Sequence, residues 1–142
     1  MKKSIVLFLL FCLIFLSSSC MPDQTYWPHN NPDNIWVSKV PDIYFTSKRA
    51  FEDENWDLLG EIKIDDEYVG ICVSFHGYTE NVTFYINDGS GYDKSKELFG
   101  AVCKSYKDKL IMKINKKRDY IFDGQYDTIT FIKESLEEQE SD

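Results

Sequence analysis

The chain has no excess of basic residues: its 142 residues carry 16 Lys and Arg against 24 Asp and Glu, a net charge of −8. Nucleic acid and anionic lipid surfaces are held by clustered positive charge, so neither is expected as a partner. Long apolar runs are missing too. The longest, Ile5 to Leu16, is twelve residues, whereas a helix that crosses a membrane needs about twenty. Histidine is limited to His29 and His76, and the four cysteines show no C-x-x-C spacing, which excludes a zinc ribbon or finger. His76 follows Ser74 by two residues, but no Ser-centred elbow motif surrounds them, so a nucleophile is not indicated. No cofactor signature emerges.

What is present begins at the N-terminus. Lys2 and Lys3 precede the apolar run, and Ser17, Ser18, Ser19 and Cys20 follow it, which is the layout of a secretory signal peptide. Small residues leading into Cys20 resemble the lipobox of bacterial lipoproteins, with Ser17 where that pattern more often carries Leu. The resemblance implies cleavage before Cys20, diacylation of its thiol, and anchoring on the extracytoplasmic face of the cell membrane. Two acyl chains, at about 0.8 kcal/mol per buried methylene, hold where one is marginal. The expected organisation is a signal-peptide helix over 1–19, a lipidated Cys and flexible tether over 20–34, a β domain over 35–133, and an acidic disordered tail over 134–142. Residues 20–142 retain 14 basic and 24 acidic residues, enough chain for one domain with its own core.

Within that domain the apolar residues alternate with polar ones. Ile35–Lys39 and Ile43–Ser47 flank a Val40-Pro41-Asp42 turn, and Gly60–Ile64 and Tyr68–Phe75 flank Asp65-Asp66, a hairpin signal. Further strands are expected at Val82–Ile86, Leu98–Tyr106, Leu110–Ile114 and Tyr126–Lys133, the last reached from Tyr120–Phe122 through Asp123-Gly124. About eight short strands without a long amphipathic helix predict an all-β antiparallel meander. A small barrel and a sandwich are both open. The short hairpin connections favour an up-and-down, lipocalin-like barrel, because closure removes exposed edges.

The candidate functional residues are few. Trp56, Tyr78 and Tyr92 fall in predicted loops and are the candidates for ligand contact, whereas Trp36 is assigned to the core. Cys72 and Cys103 are left after Cys12 and Cys20 are set aside, and they form either a disulfide or a pair of small buried hydrophobes. Asp53, Asp66 and Glu67, with His76, are the carboxylate-based alternative of a small envelope hydrolase. The loop Asp88–Lys94 has oxygen ligands at Asp88, Ser90 and Asp93 but not the register of a calcium loop. Lys113, Lys116, Lys117 and Arg118 read as a solvated turn.

The signal ending at Cys20, the opening Ile35-Trp36-Val37-Ser38 after an Asn- and Pro-rich tether, and the closing Phe122-Asp123-Gly124-Gln125-Tyr126-Asp127-Thr128-Ile129-Thr130-Phe131 resemble small lipoproteins of low-GC Gram-positive bacteria. That class has no established activity to carry over. The expectation is a membrane-anchored, non-enzymatic module for a small ligand, a glycan or an envelope protein. An inhibitory or structural envelope role is a further alternative.

Overall fold

The computed structural model describes residues 25–28, 34–49, 56–76, 79–88 and 96–135. Cys20, the segment before it, and Asp53, Tyr78 and Tyr92 lie outside the described residues. Eight strands follow one another: β1 (Asn34–Lys39), β2 (Asp42–Arg49), β3 (Trp56–Ile64), β4 (Glu67–Phe75), β5 (Asn81–Ile86), β6 (Glu97–Ser105), β7 (Lys109–Asn115) and β8 (Thr128–Ser135). Each pairs antiparallel with the next, and β8 returns to pair with β1, Val37 opposite Ile132 and Asn34 opposite Ser135. The chain therefore forms the closed up-and-down barrel and not the sandwich.

Period-2 alternation places the core. Ile43, Phe45 and Ser47 on β2, Ile71, Val73 and Phe75 on β4, Val82 and Phe84 on β5, and Ile129 and Phe131 on β8 turn inward and are buried. Eight strands leave an interior that side chains can just fill, and here aromatic rings fill it. Phe84 stacks on Phe99 with centroids 4.2 Å apart, while Phe45 meets Phe131 edge-on at 5.1 Å. The Trp36 indole N–H donates to Ser47 Oγ at 3.2 Å, which satisfies its polar atom inside the wall. Gly60 faces Phe45, where a Cβ would lie 2.6 Å from Phe45 Cβ, so only glycine fits this irregular point of the β2–β3 pair.

The turns sort to two ends. Val40-Pro41, Asp65-Asp66 and the β7–β8 connection crown one end, called the mouth. The β4–β5 and β6–β7 turns lie at the other, where β1 begins and β8 ends. Asp65 and Asp66 have φ of 50° and 68°, as a two-residue type I′ hairpin requires.

Several expectations change. Trp27, placed in the tether, is 1% exposed, with its ring 5.6 Å from that of Phe75 at the lower end. An indole adjacent to an open barrel end gains more by burial than an unstructured segment loses by ordering. Segment 48–58 is strand at both edges, so Trp56 opens β3 opposite Phe75 and does not sit in a loop. Tyr120–Phe122 is irregular, and β8 starts at Thr128 and runs two residues past Lys133. Cys72 and Cys103 are both buried and form no disulfide with each other. Their strands are separated by β5, about 9.6 Å at the usual strand spacing, and the two residues face opposite sides of the wall. Disulfide Cα atoms lie within about 7 Å.

Burial, and secondarily the Glu80 carboxylate, push the Cys103 thiol from 9.0 up to about 12. As pH rises the unfolded chain loses this proton first, so the folded state is progressively disfavoured above pH 9. The expected loss is up to about 1.4 kcal/mol per pH unit between the two values. Urea midpoints followed from pH 8 to 10 check this, and Cys103→Ala is expected to flatten the fall.

Candidate functional site at the barrel mouth

Among the described residues, buried side chains fill the interior. A cleft of about 390 Å³ opens at the mouth, lined by Pro41, Asp42, Lys63–Asp66, Ile121, Phe122, Gln125 and Tyr126. Its size falls in the range of small-ligand sites, about 300–1,000 Å³. Three connections build it: the β1–β2 turn, the β3–β4 turn and the β7–β8 connection.

The third of these has the most elaborate local structure. After Asn115, whose side chain accepts from Lys117 N at 3.1 Å, a short 3-10 turn covers Lys116–Arg118. Asp119 then holds the chain that follows. Its Oδ1 accepts from Ile121 N at 3.3 Å and Phe122 N at 2.7 Å, and its Oδ2 accepts from Gly124 N at 2.9 Å. Asp123 and Gly124 take φ of 47° and 74°, and Gln125 N donates to Phe122 O at 2.8 Å, closing the loop. This arrangement swings Ile121 and Phe122 over the barrel end, where Phe122 packs at 5.2 Å against core Phe99 and at 5.0 Å, edge to face, against Tyr126. A carboxylate receiving three N–H groups is the strongest single anchor of the cleft wall. Asp119→Ala is expected to cost about 2 kcal/mol and to raise amide exchange at Ile121, Phe122 and Gly124. Hydrogen-exchange mass spectrometry together with thermal unfolding measures both.

The opposite rim is acidic and hydrogen-bonded. Tyr68 donates its hydroxyl to Asp42 Oδ2 at 2.8 Å, and that bond raises the Tyr68 pKa. Two residues along β2 from Asp42, Tyr44 donates to the Glu61 carboxylate; burial first, and this bond second, push its hydroxyl up to about 12. The Tyr44 and Tyr68 rings are 6.5 Å apart. Lys63 is 3.4 Å from Asp66, whose side chain is 98% exposed, so this ion pair contributes little to stability. On the far side Lys116 pairs with Asp127 at 2.7 Å and Arg118 lies 3.8 Å from Glu97. Two residues of the basic cluster, Lys116 and Arg118, thus carry ion pairs on an exposed turn.

The candidate residues taken from the sequence do not converge. Trp56 is at the lower end of β3, and Tyr78 and Tyr92 lie outside the described residues. Asp66 in the turn and Glu67 at the start of β4 lie at the mouth, whereas His76 follows the other end of β4 and bonds through Nε2 to Thr83 Oγ1 at 2.9 Å. Ten residues of strand separate the two sets by about 30 Å, so they cannot serve one substrate as acid and base. Asp88 is engaged by Lys96, and among the described residues no group of three His, Cys, Asp or Glu can hold a metal ion. Sequence reasoning missed Asp119, Phe122, Gln125 and Tyr126 as site residues. The available signal was local: Asp119-Tyr120-Ile121-Phe122-Asp123-Gly124 has the Asp and Gly of a side-chain-capped turn.

No protein family matches this chain, and no curated protein or solved structure is similar enough to count as a relative.

Proposed function

We propose that this protein is a binding module anchored through a diacylated Cys20 on the extracytoplasmic face of a membrane, with its ligand taken at the barrel mouth. The observation that carries the reading is the placement of Trp27. Its burial beside Phe75 ties the N-terminal segment to the end of the barrel opposite the cleft. Only six residues lie between Cys20 and Trp27, a reach of roughly 20 Å at about 3.3 Å each. The full stretch to Asn34 would span roughly 45 Å by the same arithmetic. Docking of Trp27 therefore shortens the anchor, keeps the lower end toward the membrane and turns the mouth outward.

The anchor is tested by intact mass of the membrane fraction from expressing bacteria, comparing the natural chain with Cys20→Ala. A mass of residues 20–142 plus acyl groups, absent from the variant, is the expected result. An unmodified or uncleaved chain in the natural sample removes the anchor and, with it, the outward orientation of the mouth.

A further inference from the structure

We infer that the mouth cleft selects a small organic cation, a protonated amine or a quaternary ammonium group; this deepens the reading of the mouth as the binding site and rests on it. Three carboxylates, Asp42, Asp65 and Asp66, meet one cationic side chain, Lys63, which is already paired with Asp66. An anionic ligand would meet net repulsion there, and a neutral one would gain nothing from the excess negative charge. The apolar wall adds to the preference. Phe122 and Tyr126 both line the cleft, as an edge-to-face pair at 89° with centroids 5.0 Å apart, an aromatic corner of its wall. Phe122 is backed by Phe99 and Tyr126 is half-buried, so the corner is fixed before a ligand arrives. Ring faces beside carboxylates attract ammonium groups through the quadrupole and through charge together. Preorganised walls reduce the ordering cost of binding.

Asp42 is fixed by the Tyr68 hydroxyl on Oδ2, leaving Oδ1 to accept from a ligand N–H. Asp65 and Asp66 sit in left-handed backbone at φ of 50° and 68°, which asparagine tolerates as readily as aspartate. Their charges can therefore be removed without disturbing the hairpin.

The test is an amide NMR titration of the full chain in a neutral detergent, using choline and 1,4-diaminobutane, with N-acetylglucosamine and benzoate as neutral and anionic comparisons. The two cations are expected to shift the amides of Lys63–Asp66 and Ile121–Tyr126. Their binding should weaken about three- to tenfold in the double variant Asp65→Asn/Asp66→Asn and at raised salt. Tyr126→Leu is expected to weaken it as well, while Tyr126→Phe, which keeps the ring, retains it. A sugar or benzoate that shifts these same amides, indifferent to the Asp→Asn changes, overturns the cation inference and leaves the mouth as the site. If no probe of any charge moves them, both the inference and the mouth reading fall.

Discussion

Phe84→Ala is expected to lower the stability of the barrel by about 3–5 kcal/mol, the range for removing a fully buried phenylalanine. Phe84 has no exposed surface and is the hub of the interior, stacked on Phe99 at 4.2 Å and within 6.4 Å of both Phe45 and Phe131. Its neighbours are rings held by three other strands, so collapse around an alanine would have to move the wall of a closed barrel, and most of the cavity should persist. A domain of this size is stable by roughly 5–15 kcal/mol, so the variant approaches the threshold of folding. In thermal unfolding the shift should be at least about 12 °C. Phe84→Leu, which keeps most of the volume, should cost about 1–2 kcal/mol. Tyr120→Ala, at a residue 76% exposed, should stay within about 0.5 kcal/mol of the natural chain. Equal losses for Phe84→Ala and Tyr120→Ala would mean that the interior is not packed as described.

Trp27→Ala is the second large effect, expected to cost about 3 kcal/mol. A tryptophan in a solvated tether would contribute almost nothing, within about 0.5 kcal/mol, so urea unfolding of this one variant separates the two descriptions. The loss should depend on the ring it meets. In a double-mutant cycle with Phe75→Leu the coupling is expected to be about 0.5–1.5 kcal/mol. The barrel should survive the loss, because β1 to β8 close on one another without Trp27. Under the proposed Cys20 anchor, the variant would change the reach between anchor and barrel and leave the barrel itself intact.

The strands were legible where apolar alternation matches burial, as on β2 and β7, whereas β4 and β5 are buried on both faces along much of their length. Ile71, Val73 and Phe75 share the inner face as their spacing requires, and Asp65-Asp66 forms the two-residue turn that its flanking strands predict. Closure was legible only as a preference, since the β1–β8 pairing joins residues about a hundred positions apart and leaves no local trace. Trp27 was not legible at all: it sits in an aperiodic Pro- and Asn-rich run, and what buries it is Phe75, far along the chain. Tyr120-Ile121-Phe122 has strand propensity, which the Asp119 side chain overrides by capturing the amides that a sheet partner would use. The cleft draws on three separate turns, so Asp42, Asp66 and Tyr126 become neighbours only once the barrel has closed. Trp56 was misplaced because the acidic residues before it read as a loop, although β3 begins at that residue.

In the proposed arrangement, with Cys20 as the lipid anchor, the mouth faces away from the membrane. Labelling of an introduced cysteine with a membrane-impermeant polyethylene glycol maleimide tests this, on intact cell-wall-free bacteria carrying either Tyr120→Cys at the mouth or Asp108→Cys at the lower turn. Both native side chains are well exposed, at 76% for Tyr120 and 72% for the Asp108 side chain, while Cys72 and Cys103 are buried and serve as internal silent controls. Tyr120→Cys is expected to label several times faster than Asp108→Cys, and adding Trp27→Ala should narrow the gap. Equal rates in the chain with Trp27 intact, faster labelling at Asp108→Cys, or labelling of either only after the membrane is opened would contradict it.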